Sequence, residues 1–306
     1  MLISVVSPVY KAESLVEPLV EQIEEALDKI TDSYEIILVE DCGPDNSWQK
    51  IKGLSEKKSK LKGIKLSRNF GQQYAIQAGI DAAVGDFVVT MDCDLQDRPD
   101  QIIKLYQKAL EGYDIVQASR ISRKDSFLKK LFSSVFYKLL SYLSQTEQDS
   151  SIANFVIINR PVINALKDVN DYRRYYPMLL QWIGFKRTKV EVLHSERPMG
   201  KSSYNFRNRI NLALDTILTF SDKPLKLAVK LGFSLAMLAS LISILMIPLY
   251  FLQNIYVPGW ASLSVLLTFF SGIIICILGV VGLYVGKTFE TVKKRPTYIV
   301  HKKCNF

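Results

Sequence analysis

Two stretches of the chain carry no charged residue, Leu231–Leu252 and Ala261–Val285. Each exceeds the roughly 20 apolar residues that cross a bilayer as a helix. A soluble core helix of that length ordinarily keeps a polar face, so both runs are expected to span a membrane. The link between them, residues 253–260, is short and uncharged. Lys223, Lys226 and Lys230 precede the first run, and Lys287, Lys293, Lys294 and Arg295 follow the second. Positive flanks stay on the cytoplasmic side. Both ends of the hairpin, and the large N-terminal portion, are therefore expected in the cytoplasm. Met1 leads into an apolar run with no basic segment ahead of it, so a signal peptide is not expected.

The remaining two thirds read as a soluble α/β domain. Strand patterns at Ile3–Ser7 (closed by Pro8), Glu35–Val39, Gly63–Leu66, Asp86–Met91 and Tyr113–Ala118 alternate with helical patterns at Ser14–Ile30, Trp48–Lys58, Tyr74–Val84 and Pro99–Glu111. Repeated βα units imply a largely parallel sheet covered by helices, with ligands beyond the carboxyl ends of the strands. Further on, Ser126–Leu143 and Arg173–Gly184 read as helices, and Asn154–Ile158 and Lys186–Leu193 as strands. Ile210, Leu214, Ile217 and Leu218 share one helical face behind Arg207 and Arg209. That face either lies in the membrane interface or packs on the domain. The expected divisions are 1–205, a catalytic domain; 206–226, an amphipathic interfacial region; 227–286, a two-helix hairpin; and 287–306, a cytoplasmic tail.

Composition narrows the chemistry. Lys and Arg number 39 against 30 Asp and Glu, a net charge of +9 that favours an anionic partner. Beside two membrane runs, a bilayer and a phosphorylated substrate are expected rather than nucleic acid. Only His194 and His301 are present, which disfavours a histidine metal cage or a Ser-His-Asp triad. Cys42, Cys93, Cys276 and Cys304 match neither zinc nor disulfide spacing and read as reduced thiols.

The sharpest local signal is Asp92-Cys93-Asp94-Leu95-Gln96-Asp97, directly after a strand. Two carboxylates one residue apart can approach one hard cation while the side chain between them turns into the core. Mg²⁺ or Mn²⁺ prefers oxygen ligands and bridges readily to a diphosphate. Ser7-Pro8-Val9-Tyr10 and Glu40-Asp41 follow the first two strands and are suited to a nucleotide, with Tyr10 against the base and Asp41 accepting from a base imide or ribose hydroxyl. A proline-ended strand and a capping acid would account equally well for that pair.

Together these segments resemble glycosyltransferase family two, of GT-A (Rossmann-like) fold, and within it the polyprenyl-phosphate glycosyltransferases of the bactoprenol glucosyltransferase and dolichol-phosphate mannosyltransferase type. The resemblance extends to Leu66-Ser67-Arg68-Asn69-Phe70-Gly71, Arg120 with Arg123, Arg197-Pro198-Met199-Gly200-Lys201-Ser202-Ser203-Tyr204, Phe220-Ser221-Asp222-Lys223-Pro224-Leu225 and Arg295-Pro296-Thr297-Tyr298, in the family's order over nearly the whole chain. It implies that Asp92, Asp94 and Gln96 hold Mg²⁺ or Mn²⁺ and the donor phosphates. It implies further that Pro8, Tyr10, Asp41 and Asp92 hold the nucleotide-sugar, that Arg120, Arg123, Lys129 and Ser133 grip an acceptor phosphate, and that Arg197 reaches the diphosphate, acting in catalysis with Asp94 and Gln96.

The implied reaction is inverting transfer of a hexose, with a UDP donor favoured, to polyprenyl phosphate for cell-surface glycan modification. A different lipid or glycolipid acceptor, or a non-catalytic membrane scaffold, are the alternatives. Relatives assemble through their membrane helices, and Gly282 and Gly286 have the spacing for close helix contact, so a homo-oligomer is expected. Two positions depart from the family pattern. Ser151-Ile152-Ala153-Asn154-Phe155 lacks the two acids of a stretch common in relatives, Asp-x-Gly-Asp-Phe, unless Asp149 substitutes, and Gln72 stands where relatives often have histidine.

Overall fold

The computed structural model describes residues 1–120, 152–169, 176–192, 221, 223–235, 237, 241 and 259–306. The chain divides into two compact units, one of Met1–Tyr137, Gln148–Ser203 and Arg295–Phe306, the other of Lys138–Glu147 and Tyr204–Lys294.

The first unit is built on one eight-stranded sheet. Its strands are β1 (Ile3–Val9), β2 (Tyr34–Glu40), β3 (Leu61–Leu66), β4 (Phe87–Thr90), β5 (Ile115–Arg120), β6 (Ile152–Asn159), β7 (Arg187–Val192) and β8 (Val300–Cys304). Their order is β7-β5-β6-β4-β1-β2-β3-β8. Strands β4, β1, β2 and β3 run parallel. The sheet is largely parallel, as expected, since β5 and β7 point the same way as these four; only β6, antiparallel to both β4 and β5, and β8, antiparallel to β3, are reversed.

The helices are α1 (Glu13–Leu27), α2 (Ser47–Ser55), α3 (Gln72–Ala82), α4 (Ile102–Leu110, preceded by a 3₁₀ turn at Pro99–Gln101), α5 (Arg160–Asp168) and α6 (Tyr176–Trp182). Sheet alternation assigns the faces. Ile3, Val5 and Val9 of β1, Ile36 and Leu38 of β2, and Phe87 and Val89 of β4 join Leu19 and Ile23 of α1, Ile51 of α2 and Leu105 of α4 in one buried cluster. On the opposite face α3 comes close enough that a Cβ on Gly79 would lie 2.2 Å from Val6 Cγ1. Only glycine permits that approach. Because both faces are covered, β1, β2 and β4 are buried along their whole length.

Strand β1 passes through Pro8 to Val9 instead of closing at the proline. Its ladder to β4 ends at Val6 opposite Thr90, so no bond to β4 is required from the missing Pro8 N–H. Between β1 and β4 the strand order reverses direction, and the loops that follow both strands open there. That is the position at which open α/β sheets bind ligands.

Edge strand β8 has no counterpart in the sequence reading of the tail. The Ser67 N–H donates to the Ile299 carbonyl at 2.9 Å, and the Asn305 carboxamide donates to the carbonyls of Lys58, Ser59 and Leu61. The outer edge carries His301, Lys302 and Lys303, all exposed, and charged edges discourage pairing with another chain.

In the second unit, residues 223–235 are helical, as are 237 and 241. Helix α7 (Trp260–Val292) is 33 residues long, about 50 Å at helical rise. Within it, Phe269–Val292 is long and apolar enough to cross a membrane, at a mean hydropathy of 2.4, and its apolar side chains are not buried by the protein. This is the one such helix among the described residues; most of the Leu231–Leu252 run, the bulk of 206–226 and the 126–143 pattern fall outside them.

Candidate active site

Three loops converge on the carboxyl edge of the parallel strands: residues 10–12 after β1, 41–46 after β2, and 91–98 after β4. Each contains one non-glycine residue in the left-handed backbone region, Lys11 (φ 52°), Cys42 (φ 52°) and Leu95 (φ 58°). Such a conformation costs of order 1 kcal/mol or more and persists where surrounding contacts hold it. At Leu95 the hold is visible. Its side chain packs on the core cluster, and the preceding Asp94 carboxylate accepts from the Gln96 N–H at 3.2 Å.

The acidic loop has the alternation expected of it. It starts at Met91, which is buried and whose N–H donates to the Val6 carbonyl at 3.1 Å, locking the loop's first residue to β1. Asp92 and Asp94 are half-buried at the edge, and Cys93 between them packs against the core. Burial and the Asp92 charge push the Cys93 thiol up to about 12, so it stays protonated and inert. Asp97 is fully buried. Gln96, like Asp92 and Asp94, is half-buried. Among the described residues no three His, Cys, Asp or Glu side chains form a ready-made cation cage. Two hard carboxylates at a half-open edge do fit a small divalent ion that takes its remaining ligands from phosphate and water, the usual way such ions are held beside diphosphates.

The second carboxylate centre is Asp41, almost fully buried at the end of β2. Its two oxygens accept from the backbone N–H groups of Phe70 and Gly71, each at 2.8 Å. Burial raises the Asp41 carboxyl above its ordinary value, and these two bonds only partly oppose it. Gly71 adopts φ 101° immediately before α3, a conformation that lets the loop turn its amides onto Asp41. The neighbouring Glu40 is 1% exposed; it accepts from the Gly43 N–H and lies 3.5 Å from the Lys65 ammonium. Pro8 is buried in β1, while Tyr10 is exposed at the rim, with the Lys11 ammonium 5.4 Å from its ring centre. Arg68 stacks on Phe70 at 4.1 Å. Thus Pro8, Tyr10, Asp41, Asp92, Asp94 and Gln96 all belong to this edge of the sheet.

Arg120 ends β5, paired with Val192. Arg123, Lys129, Ser133, Asp149 and Arg197 lie outside the described residues. Sequence reasoning missed the contribution of the Phe70 and Gly71 amides, which no side-chain pattern reveals. It also noted Gln72 and Asn154 without a role. Both side-chain amides donate to Asp92 Oδ1, Gln72 at 2.6 Å and Asn154 at 3.4 Å.

A family model described as glycosyl transferase family 2 matches residues 4–166, which contain all three loops of this edge. The chain belongs to glycosyltransferase family 2. It is 36% identical over 300 residues to the glycosyltransferase YkcC of Bacillus subtilis (strain 168), covering 98% of this chain and 93% of the relative. It is 32% identical over 307 residues to the undecaprenyl-phosphate 4-deoxy-4-formamido-L-arabinose transferase of Aeromonas hydrophila subsp. hydrophila, covering 98% and 93%. Among solved structures, glucosyl-3-phosphoglycerate synthase from Mycobacterium tuberculosis, held with Mn²⁺, UDP-glucose and phosphoglyceric acid, superposes with a TM-score of 0.52 at 16% identity, covering 71% of this chain and 78% of that one. The mannosyltransferase PcManGT from Pyrobaculum calidifontis, in complex with GDP-Man and Mn²⁺, gives 0.50 at 16% identity, covering 96% and 88%. These likenesses establish the GT-A fold for this family member.

Proposed function

We propose that this family 2 protein transfers a hexose from a nucleotide-sugar, UDP-hexose in the first instance, to polyprenyl phosphate at the cytoplasmic face of the membrane, with inversion at the anomeric carbon. The observation that carries the reading is the pair Asp92 and Asp94 on the loop after β4, across the strand-order reversal from Tyr10 and on the same sheet edge as the buried Asp41, which follows β2 on the far side of β1. The undecaprenyl-phosphate sugar transferase among the relatives supports the acceptor. The Mn²⁺ and nucleotide-sugars held by the two solved neighbours support the donor and the ion.

In this reading Asp92, Asp94 and Gln96 would hold the divalent ion and the donor diphosphate, and Pro8, Tyr10 and Asp41 would seat the nucleotide. A bound ion supplies charge neutralisation for the departing nucleoside diphosphate. Arg120, Arg123, Lys129 and Ser133 would grip the acceptor phosphate, and Arg197 would reach the diphosphate. A phosphate oxygen of the acceptor then forms its bond to the anomeric carbon as the bond to the diphosphate oxygen breaks on the opposite face. A phosphate monoester has its second pKa near 6, so the nucleophile is already anionic at about neutral pH. Positioning matters more than a general base, and an asparagine at 154 is compatible with turnover.

Chain connectivity supports a two-span anchor. The chain leaves the sheet for the apolar segment and comes back to it as β8, eight residues after the end of α7. Such a path crosses a bilayer an even number of times. If α7 crosses once, the charge-free run Leu231–Leu252 is the natural second crossing. Multi-pass placement in the inner membrane and a homo-oligomer joined through these helices belong to the same proposal.

Mass spectrometry of the lipid formed from polyprenyl phosphate and a panel of nucleotide-sugars tests the function. A glycosylated polyprenyl phosphate is expected from one donor class, and its formation is expected to fall at least a hundredfold in Asp94→Ala or with chelator. Wild-type turnover in Asp94→Ala would remove the role given to the acidic loop.

A further inference from the structure

Gln72 opens α3 on one side of the acidic loop, and Asn154 lies in β6 on the other. The β4–β6 ladder pairs Phe87 with Asn159 and Thr90 with Val156. Carried two residues further, the antiparallel register sets position 154 opposite position 92. Directly opposed residues hold their Cβ atoms about 5 Å apart on one face of the sheet. Whatever occupies position 154 therefore meets Asp92, and the backbone is secured there: the Thr90 hydroxyl donates to the Asn154 carbonyl at 2.9 Å. The Gln72 carboxamide arrives from the helix side and donates to the same oxygen, Asp92 Oδ1, at 2.6 Å, while the Asn154 carboxamide donates at 3.4 Å.

We propose that Gln72 and Asn154 are a pair of neutral positioning residues that set the orientation of the Asp92 carboxylate for the ion and donor diphosphate. The inference rests on the reading of Asp92 given under the proposed function and adds two residues to it. Both donors are uncharged amides. They fix the carboxylate by hydrogen bonds without adding a positive charge that would compete with a cation or a negative charge that would recruit one. The charge that draws the cation thus comes from Asp92 and Asp94, and the amides raise affinity by holding Asp92 in the orientation that binds. The two amides act at one atom, so a change at either is felt by the same carboxylate. Gln72 is the nearer donor and is expected to carry the larger part.

Calorimetry of the full chain in detergent, titrated with UDP and GDP in the presence and absence of Mn²⁺, gives a readout independent of turnover. Gln72→Leu removes the shorter bond at nearly constant volume. It is expected to weaken Mn²⁺-dependent nucleoside diphosphate binding about tenfold, the weight of one hydrogen bond to a charged group. Asn154→Asp places a carboxylate against Asp92 and is expected to lower the Mn²⁺ concentration at half-saturation by a factor of about five, since adjacent carboxylates favour a shared cation. Gln72→Asn, which keeps the donor on a shorter arm, is expected to recover part of the loss. A residue that only supported the fold would change the melting temperature and leave the Mn²⁺ titration where it was. If wild type binds with Mn²⁺ and both Gln72→Leu and Asn154→Asp titrate identically to it, the positioning role is overturned while the proposed function stands. If wild type itself shows no Mn²⁺-dependent binding of either diphosphate, both are overturned.

Discussion

Replacing Glu35 with glutamine separates stability from chemistry. Glu35 lies at the start of β2, the end of the sheet away from the candidate active site, and is 4% exposed. Its Oε1 accepts from the Ser4 hydroxyl at 2.5 Å and the Val84 N–H at 2.8 Å, and its Oε2 from the Lys62 ammonium at 2.7 Å. A glutamine in the same pose keeps its oxygen on Ser4 and Val84, so its NH₂ faces the Lys62 ammonium, donor against donor. One charged hydrogen bond is lost, a cost of about 1.5–3 kcal/mol. Lys62 is 23% exposed and recovers some water, so the larger penalty of a fully buried broken pair does not apply. The net expectation is about 2 kcal/mol, or about 30-fold in the unfolding equilibrium.

The pH dependence follows from the same contacts. Burial alone pushes the Glu35 carboxyl up, but the bonds from Lys62, Ser4 and Val84 together outweigh it and hold the folded value below the ordinary one. A depressed carboxylate contributes stability above its unfolded pKa of about 4.3 and loses it as pH falls through the folded value. The gap between wild type and Glu35→Gln is therefore full at neutral pH and closes in the acid range below about pH 4. Urea unfolding of the full chain in detergent, followed by tryptophan fluorescence, measures it; Trp48 is buried on α2. Equal stability at neutral pH, or a gap that persists unchanged into acid, would refute the reasoning. Glycosyl transfer by the folded variant is expected to match wild type.

Two further changes test the frame of the site. Gly79→Ala drives a methyl into Val6 and is expected to destabilise the sheet unit by about 1–3 kcal/mol, visible as a lowered urea midpoint. Removing residues 299–306 strips β8, leaves the β3 edge unpaired and takes the Ile299 carbonyl from Ser67. Aggregation in size-exclusion chromatography is expected, with weaker donor binding because residues 67–71 carry the amides that hold Asp41.

Much of the site was readable because its signals are local. Apolar strand runs followed at once by Tyr10, Asp41 and Asp92 put three polar groups on one edge of any parallel sheet, whatever the details of packing. Alternation within Asp92-Cys93-Asp94 foretold that the cysteine would turn inward, and its thiol does pack on the core. Other features have no local signature. The amides of Phe70 and Gly71 reach Asp41 across about 30 positions of sequence. The partnership of Gln72 and Asn154 exists only once β6 has inserted antiparallel beside β4. Strand β8 was unreadable because His301-Lys302-Lys303 shows none of the apolar alternation of a half-buried strand; it is held by edge hydrogen bonds and by Asn305.

From the residues in chain order alone came the α/β class, the family, the acidic loop and the apolar runs, since each depends on side-chain type and on spacings of a few residues. Folding supplied the mixed strand order, the return of the C-terminus to the sheet, and the meeting of Gln72 and Asn154 at one carboxylate oxygen. Those depend on which distant strands pair and in what register, and pairing is settled by the burial of both sheet faces together, which no short segment encodes.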